Sequence, residues 1–211
     1  EPRHLEGKKV GTRKGGIGEV ALEMWMAKKG VDATKVQFLN IAEEDLPIAL
    51  AKGSVDAIIW PEPTPSLALE VAGPSVHRFG DIGSAFRDTS VVNVTCNWVK
   101  ENGDAGMKKL IAAWIDAVDL LKSNPAYGAA VTAKALQLKP EDVAKIWKNG
   151  DWPAGWSASL TDDQIDMYYT YGDFLKKKNE LAEMPDMAAW IDSRWLKEIA
   201  PNRVRLSKYK L

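Results

Sequence analysis

The chain has 211 residues, 45% of them apolar and 27% charged, a length for one large domain or two small lobes and a composition that excludes a disordered chain. Its 28 lysines and arginines nearly balance 29 aspartates and glutamates, leaving a net charge of -1. No overall field is available to grip nucleic acid or an anionic membrane, so any charged ligand must be met locally.

From Lys8 the elements alternate. "KKVGTR" reads as a short strand, Gly18 to Lys29 as a helix stopped by Gly30, and "KVQFLN" as a strand rich in β-formers. "EEDLPIALAKG" is a helix with acids in its first turn, Leu46 and Leu50 four apart, and Gly53 as a left-handed cap. "VDAIIW" follows as a nearly continuous apolar strand of the kind buried on both faces. A helix from about Thr64 to Ala72 and a short strand at "VHRF" complete a β-α-β-α-β-α-β series, which argues a parallel sheet with ligands beyond the carboxyl ends of its strands.

"TSVVNVTCNW", Thr89 to Trp98, is expected as one more strand, and everything beyond it reads as helix. Asn124-Pro125 is an N-cap with proline at the first helical position, Pro140 opens another helix, and "TDDQ" at Thr161 to Gln164 is a capping box that accounts for Asp162 and Asp163 without catalysis. Leu110, Trp114, Ala117, Val118 and Leu121 form one apolar face, expected in the core, as are Trp147, Trp190 and Trp195.

"RKGGIGEVALEMW", Arg13 to Trp25, carries the strongest site signal. Glycines between a strand and a helix allow close backbone approach and leave helix N–H groups facing a strand end, a cradle for an anion or polar ligand. A plain tight turn relieved by glycine explains the same residues equally well. Gly16 to Ala21 also matches G-x-G-x-x-A, the dinucleotide fingerprint, but Asn40 stands where a ribose-binding acid is wanted.

Other constellations are poor. His4 and His77 have no ligand spacing, and the single cysteine, Cys96, excludes an internal disulfide or thiolate cluster and reads as an inert buried thiol. Trp60 ends an apolar strand where a sheet would present it to a ligand. Trp152 and Trp156 in "GDWPAGWSASL" are expected to pack a loop onto helices.

"LEGKKVGTRKGGIGEVALEMWMAKKGVDATKVQFLNI" followed by "EEDLPIALAKGSVDAIIWPEP" resembles the second lobe of periplasmic solute-binding proteins of ABC transporters, of the sulfonate, nitrate and taurine type, related to the thiamine-pyrimidine synthase family. The resemblance implies an α/β, type II periplasmic-binding-protein-like fold, with a parallel-sheet second lobe over 1–90. A return strand and a mainly helical carboxyl-terminal part of the first lobe would follow over 91–211. It implies a non-enzymatic, periplasmic, monomeric protein without a cofactor that captures a small solute in an interlobe cleft and hands it to a permease. Lys14, Gly15, Gly16, Ile17, Gly18 and Glu19 would form the ligand loop, Trp60 and Glu62 would line the cleft, and Ser90 would contact ligand near the hinge.

"GGIG" lacks the hydroxyls of many sulfonate binders, so backbone N–H groups must serve, and Glu19 is open to two readings, neutralising a cationic ligand or capping the helix. The chain opens at "EPRHLEGKK", where the family would enter its second lobe, so a truncated product or a fragment is expected. An enzyme on the same scaffold would need a cysteine cluster and a histidine that Cys96, His4 and His77 do not supply.

Overall fold

The computed structural model describes residues 1–80, 82–86, 89–149 and 156–211. The chain divides into two compact units, Glu1–Arg87 and Asp88–Leu211.

The first unit is built on three parallel strands, β1 (Lys9–Thr12), β2 (Gln37–Asn40) and β3 (Ala57–Ile58), in the spatial order β2-β1-β3. β1 pairs with β2 from Lys9 opposite Gln37 to Thr12 opposite Asn40, and on its other side with β3 through Val10–Ala57 and Gly11–Ile58. Helix α1 (Ile17–Lys28) links β1 to β2, α2 (Leu46–Ala51) links β2 to β3, and α3 (Thr64–Ala72) follows β3 and packs on α2. Gly30 at φ 70° and Gly53 at φ 69° lie just past α1 and α2, a left-handed backbone that glycine adopts without strain.

Leu22, Trp25 and Met26 of α1 pack with Val10 of β1 and with Leu5, Val31 and Val36 into one buried cluster, with Phe38, Ala57 and Ile59 at its margin. Fixing α1 by this face sets where its amino terminus sits, directly beyond the end of β1. Trp25 also meets the Phe79 ring edge-on, with centroids 5.8 Å apart.

Two expected strands do not form. Val76 to Phe79 is coil, and without a partner on that side β3 is an edge strand among the described residues, its Ala57 and Ile58 half-buried rather than covered on both faces. The described residues from Thr89 to Thr95 are likewise coil. Val91 and Val92 are 56% and 41% exposed, and the Thr95 hydroxyl accepts a hydrogen bond from the Trp98 N–H at 3.1 Å, so the chain turns helical where the valine pattern suggests a return strand. Cys96 consequently opens a helix and is exposed, not buried in a strand.

The second unit is helical. It comprises α4 (Cys96–Ser123), α5 (Pro125–Leu136), α6 (Pro140–Asn149), α7 (Asp162–Lys177), α8 (Met187–Trp190) and α9 (Arg194–Ile199), with two-residue strands β4 (Leu160–Thr161) and β5 (Val204–Arg205) paired in parallel. Gly103 breaks α4 at φ 60°, ψ -167°. Asn124 Oδ1 caps α5 through the Tyr127 N–H at 3.2 Å, Pro125 sits at its first position, and Thr161 and Gln164 cap α7 reciprocally, all as the sequence leads one to expect.

Ala129, Ala133, Val143, Ile146 and Trp147 form the buried seam between α5 and α6. Trp156 packs against it, edge-on to Trp147 at 5.9 Å, while Trp152 lies outside the described residues. The expected apolar face of α4 is only partly covered: Val118 is buried, but Trp114 is 48% exposed and Ala117 is exposed. Trp195 is buried, with its indole N–H on Asp104 Oδ1 at 2.9 Å, whereas Trp190 is 76% exposed and belongs to no core.

Candidate functional site

The strand order places a topological switch point in the first unit. The chain leaves β1 toward β2 on one side and returns to β3 on the other, so the segments beyond β1 and β3 flank a crevice at the carboxyl end of the sheet. Those segments are the glycine loop, residues 13–18, and the Ile59–Pro63 turn.

Each loop glycine has a different reason to be there. Gly15 is left-handed at φ 69°. Gly16 is the N-cap of α1, and a Cβ on it would lie 2.9 Å from the Arg13 carbonyl and 3.4 Å from the Trp60 ring. Gly18 is the tightest: a Cβ there would sit 2.6 Å from Thr12 Oγ1 and 2.7 Å from the Ile59 carbonyl oxygen. The first turn of α1 is therefore drawn down between the ends of β1 and β3, which only a residue without a side chain permits.

The loop is held by its own polar groups. Asn40 Oδ1, at the end of β2, accepts from the Lys14 N–H at 3.0 Å; Glu19 Oε2 accepts from the Gly15 N–H at 2.7 Å; the Arg13 carbonyl accepts from Gly16 at 3.0 Å. Glu19 thus braces the loop from the first turn of α1. The N–H groups of Ile17, Gly18 and Glu19 remain at the helix start, where helix geometry provides no acceptor. Beneath them Thr12 is fully buried, and its hydroxyl has no hydrogen-bond partner among the described residues.

Asn40 spends its side chain on the loop, and β3 lies beside β1 rather than beyond β2. A dinucleotide-binding half of the kind its glycine fingerprint suggests would have the strand order 3-2-1, so the match of Gly16 to Ala21 is local.

On the other flank Trp60 is half-buried against Gly16. Glu62 is turned to α3: its Oε2 accepts from the Ser66 N–H at 3.3 Å, and its Oε1 pairs with Arg78 Nη2, which also donates to Ser66 Oγ at 2.8 Å. Thr64, almost wholly buried, donates to Glu43 Oε1 at 3.1 Å. Arg78 and Thr12 escape a reading of sequence alone, Arg78 because it sits in an expected strand and Thr12 because a threonine ending a strand is unremarkable. Ser90 is exposed in the coil ahead of α4, in the other unit; its role rests on the resemblance alone.

The densest polar cluster of the second unit contains none of the expected site residues. Asp162 accepts from the N–H groups of Ser207, Lys208 and Tyr209 and from Ser207 Oγ at 2.6 Å, and Asp166 pairs with Lys208 and the Tyr209 hydroxyl. These bonds, that from Ser207 first for Asp162 and that from Lys208 first for Asp166, hold both carboxyls below the usual aspartate range. The cluster straps segment 204–211 to α7. Among the described residues no group of three or more histidine, cysteine, aspartate or glutamate side chains is placed to hold a metal ion, and no helix is long and apolar enough to cross a membrane.

A family model described as NMT1/THI5 like matches residues 1–127. A protein of Brucella abortus (strain 2308), named only as a candidate binding protein, is 26% identical over 191 residues, covering 80% of this chain and 56% of its own. The fold matches the periplasmic aliphatic sulphonate-binding protein SsuA of Escherichia coli with a TM-score of 0.63 at 19% identity, over 93% of this chain and 65% of that one. It also matches the alkanesulfonate-binding protein SsuA of Xanthomonas axonopodis pv. citri, solved bound to MOPS, with a TM-score of 0.66 at 17% identity, over 98% of this chain and 65% of that one. The architecture is that of type II periplasmic binding proteins, and the chain spans a little over half the length of the curated relative.

Proposed function

The chain belongs to the NMT1/THI5-like family, and from that premise we propose that it acts in the substrate-binding component of an ABC importer, outside the cytoplasm, capturing a small polar organic solute or anion. The observation that carries this reading is the start of α1, drawn between the ends of β1 and β3 by Gly18, with the Thr12 hydroxyl, unpartnered among the described residues, beneath it. Such a helix start offers oriented N–H dipoles to an oxyanion or carbonyl without side-chain hydroxyls, which suits a loop that has none.

In this reading Lys14 to Glu19 form the loop that receives the solute, Glu19 acting as its brace, and Trp60 offers an aromatic face beside Gly16. Glu62 contributes through Arg78 and α3 rather than by reaching solute itself. Binding is non-enzymatic, and a permease is the partner that takes the solute onward. The sulfonates named for the two solved relatives make alkanesulfonates the first solutes to try.

The test is a titration of the purified chain with alkanesulfonates, nitrate, amines, pyrimidines and small aromatic acids, followed by tryptophan fluorescence and melting temperature. A saturable change with one class is expected. No change with any of them overturns the proposal.

A further inference from the structure

We infer that Thr12 is a positioning residue of the solute loop. Together with the Ile59 carbonyl, its hydroxyl oxygen sets how low the first turn of α1 rests on the sheet, and so how the Ile17, Gly18 and Glu19 N–H groups are aimed. The inference rests on the reading of that helix start as the solute-binding wall. Its starting point is a side chain that local structure does not ask for. Thr12 is fully buried at the end of β1, and its hydroxyl has no hydrogen-bond partner among the described residues. Valine has nearly the same shape, suits a strand equally well and would bury no unpaired hydroxyl, so stability alone favours valine at this place.

What valine lacks is an oxygen facing Gly18. The side of Gly18 on which any other residue carries its Cβ is turned toward two oxygens, Thr12 Oγ1 at 2.6 Å and the Ile59 carbonyl at 2.7 Å from where that Cβ would stand. A Cα–H bond fits into this space as a weak donor. A methyl in place of Oγ1 is bulkier and would lift the turn. Both oxygens are mounted on the sheet. Thr12 lies opposite Asn40 of β2 and its carbonyl accepts from the Ile41 N–H at 3.0 Å, while the Ile59 N–H donates to the Gly11 carbonyl at 3.1 Å. Small size on both sides of the contact, glycine above and hydroxyl below, therefore sets the helix start at a fixed height over rigid strand ends. Donors held in this way keep their aim before solute arrives, which lowers the ordering cost of binding.

The experiment compares the parent chain with Thr12→Val, Thr12→Ser and Thr12→Ala by calorimetric titration with ethanesulfonate, nitrate and benzoate as anions and with ethylamine and pyrimidine as probes lacking an oxyanion. The ligand-free melting temperature of each protein is measured alongside. The parent is expected to bind one of the anions. Thr12→Val is expected to weaken that binding about tenfold, the scale of one hydrogen bond to a charged group. Its melting temperature should not fall, because the turn that yields is a helix end and an unpaired hydroxyl has gone. Thr12→Ser keeps the oxygen and loses a buried methyl, so it is expected to melt lower yet recover most of the affinity. Stability and affinity then change in opposite senses, which a merely structural role would not produce. Thr12→Ala differs from the serine variant by the oxygen alone and is expected to bind more weakly; this pair is the readout if the valine variant does not fold. Parent-like anion affinity in Thr12→Val, equal affinity in the serine and alanine variants, or affinities that follow the melting temperatures overturn the inference and leave the proposed function standing. So does a parent chain that binds none of the three anions but another member of the wider solute panel. A parent chain that binds none of that panel overturns both.

Discussion

Trp25 on α1 and Trp114 on α4 both stand on apolar helix faces, yet the first is 2% exposed and the second 48%. In the first unit the helix face is laid on a parallel sheet, and the indole is enclosed by Val10, Leu22 and Phe79 among others. In the second, helices contact helices along narrow seams, α5 on α6 and α4 on α9, and the rest of each apolar face stays in the open. The difference teaches that helical periodicity reports where burial is possible; the opposing surface decides whether it happens.

The comparison can be tested by how unequally the two units respond to substitution. Trp25→Ala should have the largest effect, a loss of about 3–5 kcal/mol in denaturant unfolding, because a fully enclosed ring leaves a cavity. Gly18→Ala should cost about 1–3 kcal/mol, since one methyl meets the Ile59 carbonyl, which cannot move aside as a flexible side chain would. The same variant should lose the solute-dependent fluorescence change, and a stable, binding-competent alanine variant would contradict the geometry of the site. In the second unit Asn124→Ala should cost about 1 kcal/mol through loss of the α5 cap.

Next comes the strap on α7. Asp162 and Asp166 have folded pKa values lowered from the ordinary 3.8, so their hold on segment 204–211 is complete above that value and is lost as pH falls through the lower, folded one. Amide exchange at Ser207, Lys208 and Tyr209 should therefore be protected at neutral pH and rise steeply only in acid, once corrected for the intrinsic pH dependence of exchange. Asp162→Asn should raise exchange at those three residues at neutral pH without loosening α5 or α6. Smallest of all is Trp190→Ala, expected to change unfolding free energy by no more than about 0.5 kcal/mol; a loss comparable with that of Trp25 would mean that its exposed ring is covered in solution.

The sequence was most legible where chemistry is local. Gly30 and Gly53 mark helix ends because left-handed backbone demands them; Asn124-Pro125 and Thr161 to Gln164 mark helix starts because short side chains reach nearby N–H groups. Legibility failed where a strand needs a neighbour. "VHRF" and "TSVVNVT" have β-forming residues but no ladder among the described residues, and the Thr95 cap turns Cys96 into a helix start. Within the candidate site the glycine loop was visible and its purpose was not, because the need for Gly18 comes from Thr12 and Ile59, the latter far along the chain. Glu19 and Glu62 were visible as carboxylates, but their engagement with Gly15, Ser66 and Arg78 depends on where three elements end.

By itself, then, the sequence determined the alternation of strand and helix from β1 to α3, the helical character of the second unit, the ends of α1 and α2 and the starts of α5 and α7, since each follows from interactions a few residues apart. The tertiary structure alone decided the order β2-β1-β3, the descent of α1 between two strand ends, and which tryptophans are enclosed. Those depend on surfaces meeting across the chain, and burial and close approach are properties of both surfaces together.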